Sequence, residues 1–294
     1  MAFLILMHRY NIAMRDAQKI IDLGRMICNE ELVTIKNAKI FGDIKVLKFY
    51  PSSKGIEPIF RTKDFMIFEK PSGILVHPKE IESGYSMLDE IRHYGTPYSN
   101  PTHRIDKETS GLLLASTNKK AESKLKQMFE RREIKKSYLA WVRGNTKEYF
   151  EVEEPILKRN DYSSNKHKVE INSKGKYAKT IFKKLQYDAQ KDCSLVQAFP
   201  LTGRTHQIRI HLFHVKHPIL GDPLYGIPYS VAEDYLDGKL SVEDRVKLTG
   251  AKRLMLHANE LDFTLNGNRF LLKSKVDFTD VKDILSKVEE QKFY

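Results

Sequence analysis

Cysteine is almost missing from this sequence. Two residues, Cys28 and Cys193, stand in a chain of 294. They are too few and too far apart for a disulfide framework or a closely spaced cysteine metal pattern, so both are expected to be reduced packing residues of a cytoplasmic protein. Long apolar runs are missing too. Ala2 to Met7 is followed at once by His8 and Arg9 and is too short for a membrane span or a secretory signal core, so no membrane partner is expected. The chain also lacks a Gly-rich phosphate loop, a dinucleotide fingerprint, a nucleophile elbow and a zinc-protease pair of histidines, which demotes phosphate transfer and redox chemistry. Repeats, heptads and low-complexity tracts are absent, and fibrous or disordered classes go with them.

What remains is globular: 41% hydrophobic and 30% charged residues, enough apolar mass for a sizeable core and about two domains. Acidic residues are outnumbered, 38 to 50, leaving a net charge of +12. That balance makes nucleic acid the leading partner class. The segment from Lys158 to Lys184 concentrates it, with nine basic residues (Lys158, Arg159, Lys166, Lys168, Lys174, Lys176, Lys179, Lys183, Lys184) against Asp161 and Glu170. Tyr162, His167, Tyr177 and Phe182 are interleaved with them. Cations tracking phosphates, with rings available to stack on bases, suit RNA.

Ala13, Ala17, Ile20 and Ile21 fall at helical spacing with Gly24 placed to end the helix, and 26–40 and 43–49 read as short strands. A small α+β domain over 1–50 is expected, then a turn-rich linker over 51–59 and one larger body over 60–294. Within that body 65–69, 112–117, 138–142, 179–187, 195–201, 205–212 and 254–263 read as strands, and Asn118 caps a helix carrying Ala121, Leu125, Met128 and Phe129. Strands outnumber helices, so the expected class is α+β, a mixed and mostly antiparallel sheet with packed helices. Residues 230–250 are locally acidic and read as a helical surface insertion without function.

Two polar clusters can carry chemistry. In THRIDKETSGL, from Thr102 to Leu112, alternation puts Arg104 and Asp106 on one side and His103 and Ile105 on the other; Gly111 then permits close approach of a ligand's backbone. In LTGRTHQIRIHL, from Leu201 to Leu212, a strand would send Ile208, Ile210 and Leu212 to the core and Arg209 the opposite way with Gln207 and His211. A guanidinium can hold a carboxylate by a bidentate fork, and Asp106 is the candidate for it. His206, His211, His214 and His217 invite a metal, but on a strand 206 and 211 have opposite parity and no further ligand spacing completes a site; no metal is expected. EKPSGILVHP, from Glu69 to Pro78, has strand, turn and strand character, with Lys70 and His77 as candidate RNA contacts.

Taken in order, EKPSGILVHP, HRIDKETSGLLL, KKSYLAWVRG, LTGRTHQIRIHL, HPILGDPLYG and LMLHANELDF resemble the motif set of the RluA-type RNA pseudouridine synthases, over about Phe60 to Phe278. The first fifty residues, notably Arg15 to Ile21, Gly24-Arg25 and Gly42-Asp43, resemble a ribosomal-protein S-four-like RNA-binding module, although Glu30 stands where that module has a turn glycine. The resemblance implies isomerisation of selected uridines to pseudouridine without any cofactor. It implies Asp106 as the essential residue, either nucleophile at the sugar or base on the ribose carbon 2′ proton, with Arg209 its partner and Tyr138 the ring and hydroxyl beside the uracil. Arg104 fills the space left by the flipped base. Arg15, Lys19 and Arg25 are expected at RNA phosphates. Large-subunit ribosomal RNA is the expected substrate and transfer RNA the alternative, acted on by a monomer. A noncatalytic RNA-binding or ribosome-assembly factor is the alternative from another class, although binding alone does not need Asp106, Tyr138 and Arg209 together.

Overall fold

A computed structural model describes residues 1–47, 50–78, 84–158, 169–279 and 284, and the chain divides into two units, Met1–Pro51 and Ser52–Tyr294. In the first unit the short apolar run is a helix, α1 (Ala2–Tyr10), with Ala2 and Leu6 buried. A second helix, α2 (Met14–Asp22), buries Ala17 and Ile21, and Gly24 follows it at φ +63°. Strands β1 (Met26–Cys28), β2 (Glu31–Leu32) and β3 (Ile44–Val46) form an antiparallel sheet in the order β2-β1-β3. The single strand expected over 26–40 is thus broken early. Asn29 and Glu30 both take positive φ, 49° and 70°, folding β2 back on β1 as a two-residue hairpin turn. The later expected strand is reduced to β3, and residues 48–49 lie outside the described residues.

From Ser52 the chain is already tied into the second unit. The Ser52 and Lys54 amides donate to Asp89 and Glu90, as does the Ser53 hydroxyl to Glu90, so the turn-rich stretch is anchored before β4 (Pro58–Arg61) begins. Then follow β5 (Phe65–Lys70), α3 (Met87–Tyr94), β6 (Asn100–Pro101), β7 (Ser110–Ser116), α4 (Lys119–Glu130), β8 (Lys135–Arg143), β9 (Tyr149–Glu153), β10 (Ile156–Lys158) and β11 (Val169–Ile171). The chain continues with β12 (Lys179–Asp188), β13 (Cys193–Pro200), α5 (Gln207–His214), α6 (Tyr229–Leu236), α7 (Val242–Thr249), β14 (Leu256–Leu265) and β15 (Asn268–Lys273).

Ten of these strands make one sheet, in the order β4-β5-β7-β14-β8-β13-β12-β9, with β15 on β14 and β6 on β7. Only β7 and β14 run parallel; the other pairs are antiparallel, so the mixed α+β architecture is as expected. Every residue of β7 is buried, as a central strand covered on both faces requires. On one side α4 packs Leu125 and Met128 against Phe65, Ile67, Leu112, Leu114 and Phe263, after the Asn118 side chain accepts the Ala121 amide as its cap. The main core gathers Met66, Phe68, Leu113, Trp141, Phe182 and Leu195, and the Trp141 indole donates to the Phe278 carbonyl at 2.9 Å.

Three local expectations fail. Residues 205–212 are not a strand: Gln207–His214 is α5, with 207–212 all buried. A helix surrounded on every side shows no polar stripe, so chance alternation of isoleucines mimics a strand. The second half of EKPSGILVHP is not a strand either; β5 ends at Lys70 and the chain turns away through Gly73 at φ +87°. Gly111 admits no ligand backbone but that of β14: a Cβ there would lie 2.3 Å from the Ala258 carbonyl oxygen.

Candidate active site

The loop joining β6 to β7 presents Asp106 because its neighbours are pinned inward. The His103 ring stacks on Phe129 and accepts the Leu114 amide at Nε2, 3.0 Å away, while Ile105 enters the main core. Arg104 is therefore exposed, and the Asp106 side chain keeps 28% of its surface. The segment after β5 supports the loop from the other side: the Gly73 amide donates to the Lys107 carbonyl and the Ser72 hydroxyl to that of Glu108.

Lys70 is the clearest correction among the expected RNA contacts. It is 1% exposed, and its ammonium donates at 2.8–2.9 Å to the carbonyls of Pro71, Ile74 and Lys107. All three hydrogens are used, leaving none for a phosphate. Burial pushes its pKa down to about 7, against the opposing charges of Glu108 and Asp106. Lys70 pins the backbone of the Asp106 loop rather than RNA.

Arg209 reaches Asp106 as expected, but from a helix and by one bond. Its Nη1 lies 3.3 Å from Asp106 Oδ2, whereas the bidentate fork goes to Asp222, Nε to Oδ2 at 2.8 Å and Nη2 to Oδ1 at 2.7 Å. Burial alone would lower the Arg209 pKa; Asp222 and then Asp106 raise it beyond its ordinary value, so the cation is permanent. Burial works against the Asp222 carboxylate as well, yet Arg209 and the Leu224 amide hold its pKa below the usual range. The Leu224 and Tyr225 amides both donate to Asp222 Oδ1, so the anion is saturated.

His206, at φ +52° just before α5, places Nε2 3.8 Å from Asp106 Oδ2 and Nδ1 3.0 Å from the Tyr225 hydroxyl. The Tyr225 ring lies beneath the Arg209 guanidinium, 5.2 Å from its centroid. Arg209 and His206 both approach Oδ2; no described residue hydrogen-bonds Asp106 Oδ1. Tyr138, in β8, is buried, and burial followed by the Asp106 charge raises its phenol pKa. A neutral phenol, an oriented carboxylate and a fixed cation are thus near enough to act on one another. Asp222, Tyr225 and His206 were not singled out as site residues. The signal for Asp222 and Tyr225 lies in GDPLYG, where an aspartate opens a turn, but its partner is thirteen residues away on a helix read as a strand; His206 shows in the sequence only as one of four histidines that invite a metal.

The other candidates belong to other segments. His77 is exposed, with Nδ1 2.9 Å from the Pro78 carbonyl oxygen. Arg15 and Lys19 are exposed and Arg25 half-buried in the first unit. Of the basic segment, Arg159, Tyr162, Lys166, His167 and Lys168 lie outside the described residues. Lys158, Lys174, Lys176 and Lys183 are exposed, but Lys179 pairs with Glu151 and Glu153, Lys184 with Glu148, and the Phe182 ring is core rather than a stacking platform. The histidines diverge for a reason other than strand parity: His211 binds Thr180 and the Glu154 carbonyl, and His217 the Arg143 carbonyl. No cluster of three or more metal-ligating side chains occurs among the described residues, and none of their helices is long and apolar enough to cross a membrane.

Comparison with known proteins places the chain in a family. A family profile described as RNA pseudouridylate synthase matches residues 64–214, spanning Lys70, Asp106, Tyr138 and Arg209. The chain is 35% identical to an uncharacterized RNA pseudouridine synthase of Helicobacter pylori, over 89% of this chain and 86% of that protein. It is 31% identical to ribosomal large subunit pseudouridine synthase C of Haemophilus influenzae, over 82% and 74%. With the mitochondrial tRNA pseudouridine(32) synthase of Saccharomyces cerevisiae it shares 33% identity over 71% of this chain and 46% of that protein. The solved structure of human RNA pseudouridylate synthase domain containing 1 superposes with a TM-score of 0.60 at 26% identity, covering 78% of this chain and 86% of that one.

Proposed function

The chain belongs to the RNA pseudouridylate synthase family, an RNA-modifying isomerase, and we propose that it acts on uridines of large-subunit ribosomal RNA with Asp106 as the catalytic carboxylate. The observation that carries the second part is the asymmetry of Asp106: Arg209 holds Oδ2 while Oδ1 has no hydrogen-bond partner among the described residues, in a side chain that keeps 28% of its surface. Isomerisation breaks the bond from uracil nitrogen 1 to ribose carbon 1′, turns the base, and forms a bond from carbon 5 to carbon 1′. The proton lost from carbon 5 is matched by one gained at nitrogen 1, so no atom or electron comes from outside. Asp106 Oδ1 supplies the lone pair, either as nucleophile at carbon 1′ or as base at the carbon 2′ proton. Tyr138 supplies a face for the uracil and a hydroxyl for the carbon 5 proton.

The target base must leave its stack at a cost of a few kcal/mol, and Arg104, exposed one residue before Ile105, is the side chain to fill the gap. Arg15, Lys19 and Arg25 make the first unit an RNA-binding module, and His77, exposed, adds a further RNA contact. Ribosomal RNA is favoured because the Haemophilus relative named for the ribosomal large subunit aligns with 82% of this chain and the yeast tRNA relative with 71%.

The test is tritium release from RNA labelled at uracil carbon 5, taken from cells lacking the gene and fractionated into ribosomal and transfer RNA. Release from the ribosomal fraction by wild type and not by Asp106→Asn is expected. Release only from transfer RNA would overturn the substrate, and release by Asp106→Asn would overturn the carboxylate.

A further inference from the structure

The acidic segment after the GDPLYG motif, read from sequence as an insertion without function, reaches back to the catalytic loop. Glu108, two residues past Asp106, accepts the Tyr235 hydroxyl of α6 at Oε1, 2.9 Å away, and Arg245 Nη2 of α7 at Oε2, 2.7 Å away. The ion pair is sheltered, with side chains 11% and 12% exposed. Burial raises the Glu108 pKa, but Arg245 and Tyr235 outweigh it and keep the carboxylate ionised.

The same guanidinium has a second load. Arg245 Nε and Nη2 donate to the Gly221 carbonyl at 3.2 and 2.7 Å, while the Gly221 amide donates to the carbonyl of Thr249, the last residue of α7. Both polar groups of Gly221 are therefore taken by one helix. Its backbone has no slack either: φ is +72°, and a Cβ would fall 1.7 Å from the Arg253 carbonyl oxygen. The next residue is Asp222, whose fork aims Arg209 at Asp106.

We propose that Arg245, assisted by Tyr235, is a positioning residue: by gripping Glu108 and Gly221 together it fixes the separation of Asp106 and Asp222 on either side of Arg209. Without that bridge the two loops are joined at this end through Arg209 and through His206, whose contacts to Asp106, 3.3 and 3.8 Å, are long ones that a small shift would open. This inference rests on the reading of Asp106 as the catalytic carboxylate. A displacement of about 1 Å at a reacting group costs up to roughly 100-fold in rate.

The experiment compares full-length wild type, Arg245→Gln, Arg245→Lys and Glu108→Gln in single-turnover tritium release, alongside RNA affinity and thermal melting, with Asp106→Asn as control. Expected are a rate lowered roughly 10- to 100-fold in Arg245→Gln with RNA Kd within about threefold of wild type, and partial recovery in Arg245→Lys, whose ammonium restores a charge to Glu108. A folded Arg245→Gln that turns over at the wild-type rate overturns the inference, as does a rate loss matched by an equal loss of affinity. Should Arg245→Gln not melt cooperatively, Glu108→Gln, which keeps shape and an acceptor, carries the same expectation: a wild-type rate there overturns the proposal equally. Activity in Asp106→Asn would instead remove the reading beneath it.

Discussion

Arg209 and Asp222 are joined by two hydrogen bonds of 2.8 and 2.7 Å with both side chains buried, a tighter relationship than either has with Asp106. Breaking a buried pair on one side leaves the other charge stranded, typically at about 3–5 kcal/mol. Asp222→Ala is expected to lose that much in urea unfolding and to lose isomerase activity with it. A loss below about 1 kcal/mol would mean that Asp106 swings over to take the whole fork.

Acid should destabilise the protein well before its carboxylates titrate. His103 accepts a backbone amide through Nε2, and burial, followed by the Lys136 charge, holds its pKa down to about 3; burial first brings His211 and His257 to about 4. Between the usual value near 6.5 and these values the unfolded chain binds protons that the folded rings refuse. The contribution of these rings is therefore full above about pH 6.5 and falls as pH drops, by about 1.4 kcal/mol per pH unit for each ring. Urea unfolding from pH 7 to 4.5 should show this slope, smaller by about one proton in His103→Gln. An unchanged slope would place the proton elsewhere.

Salt dependence separates the lysine that builds the fold from those offered to RNA. Lys70→Met removes a charged donor from three carbonyls and is expected to cost about 3 kcal/mol of stability without altering the slope of log affinity against log salt. Arg15→Ala combined with Lys19→Ala should leave stability alone and flatten that slope by about 2. A flattened slope in Lys70→Met would return Lys70 to the RNA surface.

Gly111→Ala tests the seam between β7 and β14. At φ +105°, with a new Cβ 2.3 Å from the Ala258 carbonyl oxygen, the strands must part. A cost of at least about 3 kcal/mol corresponds to a Tm lower by roughly 6–12 °C; a shift of less than 2 °C would show that the seam yields without strain.

How legible the site was depended on how local its causes are. The phase of the Asp106 loop could be read because His103 and Ile105 go inward within four residues of chain. Arg209 was assigned the right neighbour from the wrong element, since 207–212 is buried all round and carries no periodicity to tell helix from strand. Lys70 read as surface because nothing in KPSG reveals that a carbonyl thirty-seven residues away will close over it. Asp222 and Arg245 owe their roles to partners in other loops, which spacing within one segment cannot express.

The central seam also sets the order in which the protein can come into being. Ser110, at the head of β7, and its partner His257 are 147 residues apart in the chain, while β5, on the other side of that strand, is synthesised before it. At about 5–20 residues per second, the strand waits roughly 7–30 s on the ribosome for its second neighbour. Closing so long a loop is slow in any case. Fragments truncated before β14 should expose a partly unpaired edge of a strand buried along its whole length, a demand on chaperones during translation and a site for aggregation thereafter.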